Sequence, residues 1–139
     1  MAKIRFIEVK SEIGAGTRGA SLGVDALKIA ALDYGSSLFH KIDSTEVRNE
    51  NHLLFEQAGS PYAKRIKGIT TVCERVAKEV SDTLKRKEFP IVLAGDHSTA
   101  YGTISGIRMA SSKFKLGVIW IDAHADLHSP FTTPTGNMH

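Results

Sequence analysis

Two short stretches hold most of the chemistry available to this sequence. AGDHS at 94–98 offers Asp96 and His97, and VIWIDAHADLH at 118–128 offers Asp122, His124 and Asp126. Carboxylates are hard oxygen donors and imidazole is a borderline nitrogen donor, so the mixed set suits Mn, Fe, Co, Ni or Zn better than Ca or Mg. No cysteine stands among them, which turns the choice toward manganese or a near relative. Asp-x-His-x-Asp by itself fits a hydrogen-bonded turn as well as it fits a metal site. His97, arriving from a second strand end, tips the balance toward a metal. Positions 122, 124 and 126 alternate along an extended backbone and are expected to project to one side.

Such donors need elements to hold them. PIVLAG and LGVIWID are short, almost continuously apolar runs, the pattern of strands covered on both faces of a parallel sheet. TAYGTISGIRMASSK between them is long enough for a helical crossover. Upstream, KIRFIEV alternates polar and apolar residues and predicts a first strand, VDALKIAALDY a helix stopped by Gly35, and SSLFHKIDS a second strand. Ser60 and Pro61 have the types of a helix cap and first helical residue. From there Ile66, Ile69, Val72, Val76, Val80 and Leu84 form one apolar stripe, which predicts a long amphipathic helix to about Lys87. Strands and helices therefore alternate, and the fold class is α/β with a mainly parallel sheet. In such sheets ligands gather at the carboxyl ends of strands, where both donor stretches stand.

Composition narrows the partners. At 139 residues the chain has the length of one ordinary domain, and neither a repeat nor a Pro/Gly/Ser linker divides it. The net charge is +3, but Lys and Arg are interspersed with acids, as in CERVAKEVSDTLKRKE, so a solvated helix face is expected and no nucleic-acid partner. No apolar run nears the roughly 20 residues that cross a bilayer, and the N-terminus lacks the pattern of a secretory signal. No membrane role is expected, and a cytoplasmic location is. The single Cys73, inside a helical pattern, reads as a buried and inert thiol.

AGDHS at 94–98 and IDAHADLHSPFTTPTGNMH at 121–139 resemble the two N-terminal signature blocks of the ureohydrolase superfamily, arginases in particular, and GTRGASLGVDAL is similar to the first loop and helix of that family. The resemblance implies a three-layer α/β/α fold, with residues 1–139 as the N-terminal part of a single ureohydrolase domain in a homo-oligomer. It implies two manganese ions, His97 and Asp126 as ligands of one, His124 as a ligand of the other, and Asp122 as the bridge. Water shared by two such ions loses a proton near neutral pH, and the hydroxide attacks the guanidinium carbon of arginine to give urea and ornithine. His139 matches a family histidine that shuttles protons, a task suited to imidazole. Thr133, Thr135 and Asn137 fall in the segment that in arginases binds the α-amino and α-carboxylate groups of the substrate. His128 departs from the pattern, since many arginases have Asn there, and Thr135 stands where Ser is common; both can still donate hydrogen bonds.

Three other readings stay open at this stage. Agmatinase and formimidoylglutamase are alternative activities within the same superfamily. GAGTRG at 14–19 satisfies G-x-G-x-x-G between a strand and a helix, with Asp43 where a ribose-binding acid could sit, and would make a dinucleotide-binding module. Residues 10–13, however, separate these glycines from the strand, and a surface loop is the simpler reading. In the family, further carboxylate ligands come from later strands, so the third reading is a non-catalytic fragment, and the 139-residue chain alone is expected not to hydrolyse arginine.

Overall fold

The structure, a computed structural model, describes residues 3–113 and 115–138. Strand β1 (Lys3–Val9) lies at the centre of a parallel sheet in the order β2-β1-β3, with β2 formed by Ser44–Glu46 and β3 by Glu88–Ala94. Phe6 pairs with Ser44 on one side and Ile91 on the other. The period-2 alternation of KIRFIEV sorts its side chains into two layers. Ile7 and Val9, both fully buried, join Val72, Val76 and Val80 of the long helix in the main apolar cluster. Phe6 and Glu8 face the opposite way: the Phe6 ring stacks on Phe39 at 5.0 Å, and the buried Glu8 takes Lys28 Nζ at 2.6 Å.

The helices fill those two layers. On the Phe6 and Glu8 side lie α1 (Gly23–Asp33) and α2 (Leu38–Lys41); on the Ile7 and Val9 side lie α3 (Ile66–Lys85) and α4 (Ala100–Ala110). The sheet is thus sandwiched between helices, the expected α/β/α arrangement. In α3 the buried residues Ile69, Val72, Cys73, Val76 and Val80 recur at three- and four-residue steps, which places one stripe of the helix on the sheet. Gly102 and Gly106 let α4 approach very closely, for a Cβ on either would stand 2.7 Å from the Cys73 carbonyl oxygen or 2.6 Å from that of Ala77.

Three local expectations are corrected. SSLFHKIDS is not a strand over its length: Ser37 accepts the amides of His40 and Lys41 at 3.1 and 3.2 Å, closing a helical turn, and only its last residue enters β2. The pull of Phe39 onto Phe6 outweighs the β-leaning pattern. Ser60 and Pro61 do not open α3, because Ser60 Oγ accepts the Tyr62 amide in a local turn and the helix begins after Arg65, whose φ of 57° is left-handed. LGVIWID at 116–122 lies near β3 but is paired with no strand among the described residues. Its apolar run calls for cover on both faces, yet Ile119 and Ile121 are 89% and 93% exposed. A strand needs a hydrogen-bonded neighbour as well as a β-prone sequence, and here the neighbour is not engaged.

Candidate metal centre

β1 and β3 run side by side to their carboxyl ends, where the Gly95 amide adds one more bond to the Val9 carbonyl at 2.9 Å. A Cβ at Gly95 would run into the Ser11 carbonyl, so glycine is needed for the chain to leave the sheet there. Asp96 then caps the turn His97–Thr99 that leads into α4, its carboxylate accepting the Ser98 amide. This turn holds His97 at the rim of a cavity of about 370 Å³ between β3, α4 and the 118–120 segment, lined in part by Asp96, Thr99, Val118 and Trp120.

His97, Asp122 and Asp126 are brought together. His97 Nδ1 lies 3.1 Å from Asp122 Oδ2 and 3.5 Å from Asp126 Oδ2, and one donor atom from each of the three residues falls within 4.8 Å of the others. Trp120 braces the group from one side: its ring stacks on His97 with centroids 4.7 Å apart, and its Nε1–H donates to Asp126 Oδ2 at 2.9 Å. One imidazole and two carboxylates gathered over so short a distance are a donor set that a divalent transition ion fits.

The route by which these donors converge differs from expectation. Residues 122–126 form a bend rather than a strand end, and Asp126 has a left-handed φ of 51°, so alternation along an extended backbone is not what aims the side chains. Asp122 Oδ1 accepts the His124 amide at 2.8 Å and stands 3.1 Å from His124 Nδ1. That amide, with the His124 and His97 rings, outweighs burial and holds the Asp122 carboxyl below the usual carboxylate range. The His124 side chain is 84% exposed and remains outside the cluster of three, joined to it through Asp122.

The residues expected to bind substrate fall in a run of turns. His128 Nδ1 lies 3.3 Å from Thr132 Oγ1, Thr133 Oγ1 accepts the Gly136 amide, and Thr135 Oγ1 accepts the Asn137 amide. Asn137 is drawn back to the start of the chain, where its Nδ2 donates to the Ala15 carbonyl at 2.8 Å. His139 lies outside the described residues.

Glu12 is a residue the sequence did not single out. Its buried carboxylate accepts the Gly19 and Ser21 amides and the Ser21 hydroxyl, with Arg18 Nε at 3.2 Å and the Arg18 guanidinium over the Phe55 ring. Burial pushes this carboxyl up, but the bonds from Ser21 and Gly19 and the Arg18 charge prevail, and the net shift is downward. The glycine-rich loop therefore already binds anions of its own chain. The Gly14 amide goes to the Asp96 carboxylate, that of Gly19 to the Glu12 carboxylate and that of Gly16 to the Glu12 backbone carbonyl, so the three glycine amides of the motif already have acceptors within the chain. This geometry disfavours the dinucleotide reading. An acid two residues before a glycine-rich loop was the only sign of the arrangement.

Known proteins with the same organisation point one way. The family model described as "Arginase family" matches residues 2–139. The arginase of Bacillus caldovelox is 33% identical over 141 residues, covering 100% of this chain and 46% of that protein. Its crystal structure superposes with a TM-score of 0.80 at 30% identity, covering 99% of this chain and 46% of its own. An Entamoeba histolytica arginase solved in complex with L-ornithine shares the fold, with a TM-score of 0.82 at 23% identity over 99% of this chain and 48% of its own. The chain spans about half the length of the curated relatives it matches.

Proposed function

The chain belongs to the arginase family, and from that premise we propose that the protein it forms part of hydrolyses the guanidino group of L-arginine, yielding ornithine and urea, with manganese as its cofactor. The observation that carries this reading is the convergence of His97, Asp122 and Asp126 at the carboxyl end of a parallel sheet. In this reading His97 and Asp126 would hold one ion and His124 the other, with Asp122 placed to serve both. Manganese, when bound, supplies Lewis acidity and a nucleophile drawn from water at neutral pH.

The chain's own residues do the rest. Trp120 keeps His97 and Asp126 in place, and the amide of His124 keeps Asp122 ionised and ready to serve as a ligand. Thr133, Thr135 and Asn137, with His128 nearby, are assigned to the α-amino and α-carboxylate end of the amino acid, because polar side chains gathered on consecutive turns can match such groups. His139 is assigned the transfer of a proton to the leaving amine. An arginase solved with ornithine supports an amino-acid ligand for this family's fold. Residues 1–139 are read as the N-terminal part of one ureohydrolase domain. No helix among the described residues is long and apolar enough to cross a membrane; a cytoplasmic homo-oligomer is the form proposed.

The test is a urea-release assay on the intact protein with manganese, offering arginine, agmatine and, with formamide as the product followed, formimidoylglutamate. Arginine is expected to be preferred, since polar groups built for a carboxylate lose discrimination energy when the substrate lacks it, on the order of 10⁴-fold in kcat/KM at best. Equal turnover of agmatine would move the assignment to an agmatinase.

A further inference from the structure

Asp96 stands next to His97 yet contributes nothing to the cluster of donors, because both its oxygens are committed elsewhere. Oδ2 accepts the Gly14 amide at 2.9 Å, while Oδ1 accepts the Ser98 amide at 3.0 Å and the Ser98 hydroxyl at 2.5 Å. Thr99 Oγ1 adds a bond to the Asp96 carbonyl at 3.2 Å, and from the other side Cys73 Sγ meets the Ser98 carbonyl at 3.4 Å. The residue is 7% exposed. A carboxylate accepting three hydrogen bonds in a buried setting is held far more firmly than a neutral acceptor would be.

The same carboxylate reaches the far end of the site. Gly14 is pressed against it so closely that a Cβ there would stand 2.8 Å from Oδ1 and 2.7 Å from Ser98 Oγ. The Gly14 carbonyl in turn accepts the Met138 amide at 3.0 Å, and the Ala15 carbonyl accepts Asn137 Nδ2 at 2.8 Å. Gly16, at a φ of 65°, lets the loop pass under Asn137, whose Oδ1 would lie 3.0 Å from any Cβ at that position.

We propose that Asp96 is a positioning residue that ties the His97 turn to the loop 14–16 and, through that loop, to Asn137, so that one buried carboxylate sets both the metal donor and the substrate-facing segment. The proposal rests on the arginase-like reading for what His97 and Asn137 do. It goes beyond that reading in making the two ends of the site depend on a single side chain that touches neither metal nor substrate.

Asp96→Asn, made in the intact protein, keeps the shape of the side chain and cannot accept at both positions. Manganese affinity, measured by calorimetry, is expected to fall about 10- to 100-fold, the usual cost of losing a group that orients a ligand. In the urea-release assay, excess manganese should restore kcat while KM for arginine stays raised, because metal occupancy is recoverable by mass action and the Asn137 segment is not. A merely destabilised protein would show no such split. Exchange of the Met138 amide should quicken at least about tenfold. A folded variant with parental manganese affinity and parental KM would overturn the proposal. If Asp96→Asn does not fold, Ser98→Ala removes one of the three bonds and should show the same split in smaller measure; parental values there overturn the proposal equally. Should the parent protein bind no manganese, the functional reading fails, and Met138 exchange alone decides: an unchanged rate in the variant rejects the tie, and a faster one supports it.

Discussion

His97 and Trp120 stack with ring centroids 4.7 Å apart and planes inclined by 25°, so an aromatic plate forms one wall of the candidate metal centre. The same indole donates to Asp126, so Trp120 touches two of the three clustered donors. It is also the only tryptophan in the sequence. Its emission is thus a direct report on the cluster. Adding manganese, a paramagnetic ion, is expected to quench that emission to saturation with one midpoint, and His97→Ala should abolish the saturable phase. Quenching by magnesium to the same extent, or quenching untouched by His97→Ala, would remove the ion from this location.

Asp122 and His124 should not be equal in effect. Asp122 contacts His97 and His124 together, whereas His124 joins the cluster only through Asp122 and is largely exposed. Asp122→Asn is expected to weaken manganese binding more than His124→Ala, with the stronger effect at the first equivalent bound. Calorimetric titration separates the two, and a larger loss in His124→Ala would reverse the assignment of the shared ligand.

The ladder between β1 and β3 carries an acid-sensitive pair. Arg5 Nε lies 2.6 Å from Glu88 Oε2, and that guanidinium, helped by Arg86 and opposed by partial burial, brings the Glu88 carboxyl from its ordinary value near 4.5 to about 2. A depressed carboxyl contributes stability that is complete above its unfolded value and is lost as pH falls through its folded one. The stability difference between the parent and Glu88→Gln should therefore be largest above pH 4.5 and shrink between about 4.5 and 2. Denaturant midpoints across that window measure it; curves that stay parallel would mean the pair adds nothing.

On the opposite face, Lys28 is the partner that makes the burial of Glu8 tolerable, since Glu8 Oε1 has no hydrogen bond of its own. Removing the ammonium takes away the cation that pairs with this buried carboxylate among the described residues. Lys28→Ala is expected to cost about 1–3 kcal/mol, the range for an unsatisfied buried polar group. Glu8→Gln in the same background should recover part of that loss. Equal stability of Lys28→Ala and the parent would show that solvent reaches Glu8.

Much of this was legible in the residues themselves. KIRFIEV and the stripe from Ile69 to Val80 state their elements through period and residue type, and β1 and α3 follow them. His97, Asp122 and Asp126 stood out because an imidazole from a second segment tips an otherwise ambiguous Asp-x-His-x-Asp toward a metal reading, and the structure gathers the three. What could not be read was the work of contacts distant in sequence. Phe39 turns a β-prone segment into a helical turn only because Phe6 lies beneath it. Glu12 gains its role from amides that a folded loop delivers, and Asp96 from Gly14, 82 residues earlier. The bend at 122–126 depends on the left-handed Asp126, which no alternation of side chains foretells.

The open run at 118–121 has a consequence for handling the molecule. Val118, Ile119, Trp120 and Ile121 form an uncharged, β-prone segment beside β3, which is an edge strand of the sheet as described. Edges of that kind recruit strands from other molecules, and segments of that composition stack into fibrils. Lys115 and Asp122 flank the run with one charge at each end, the usual placement of residues that slow such stacking. Solutions of this chain alone should accordingly lose monomer with rising concentration and salt, and a lysine in place of Ile119, whose side chain like that of Ile121 stands in open solvent, should keep them clear.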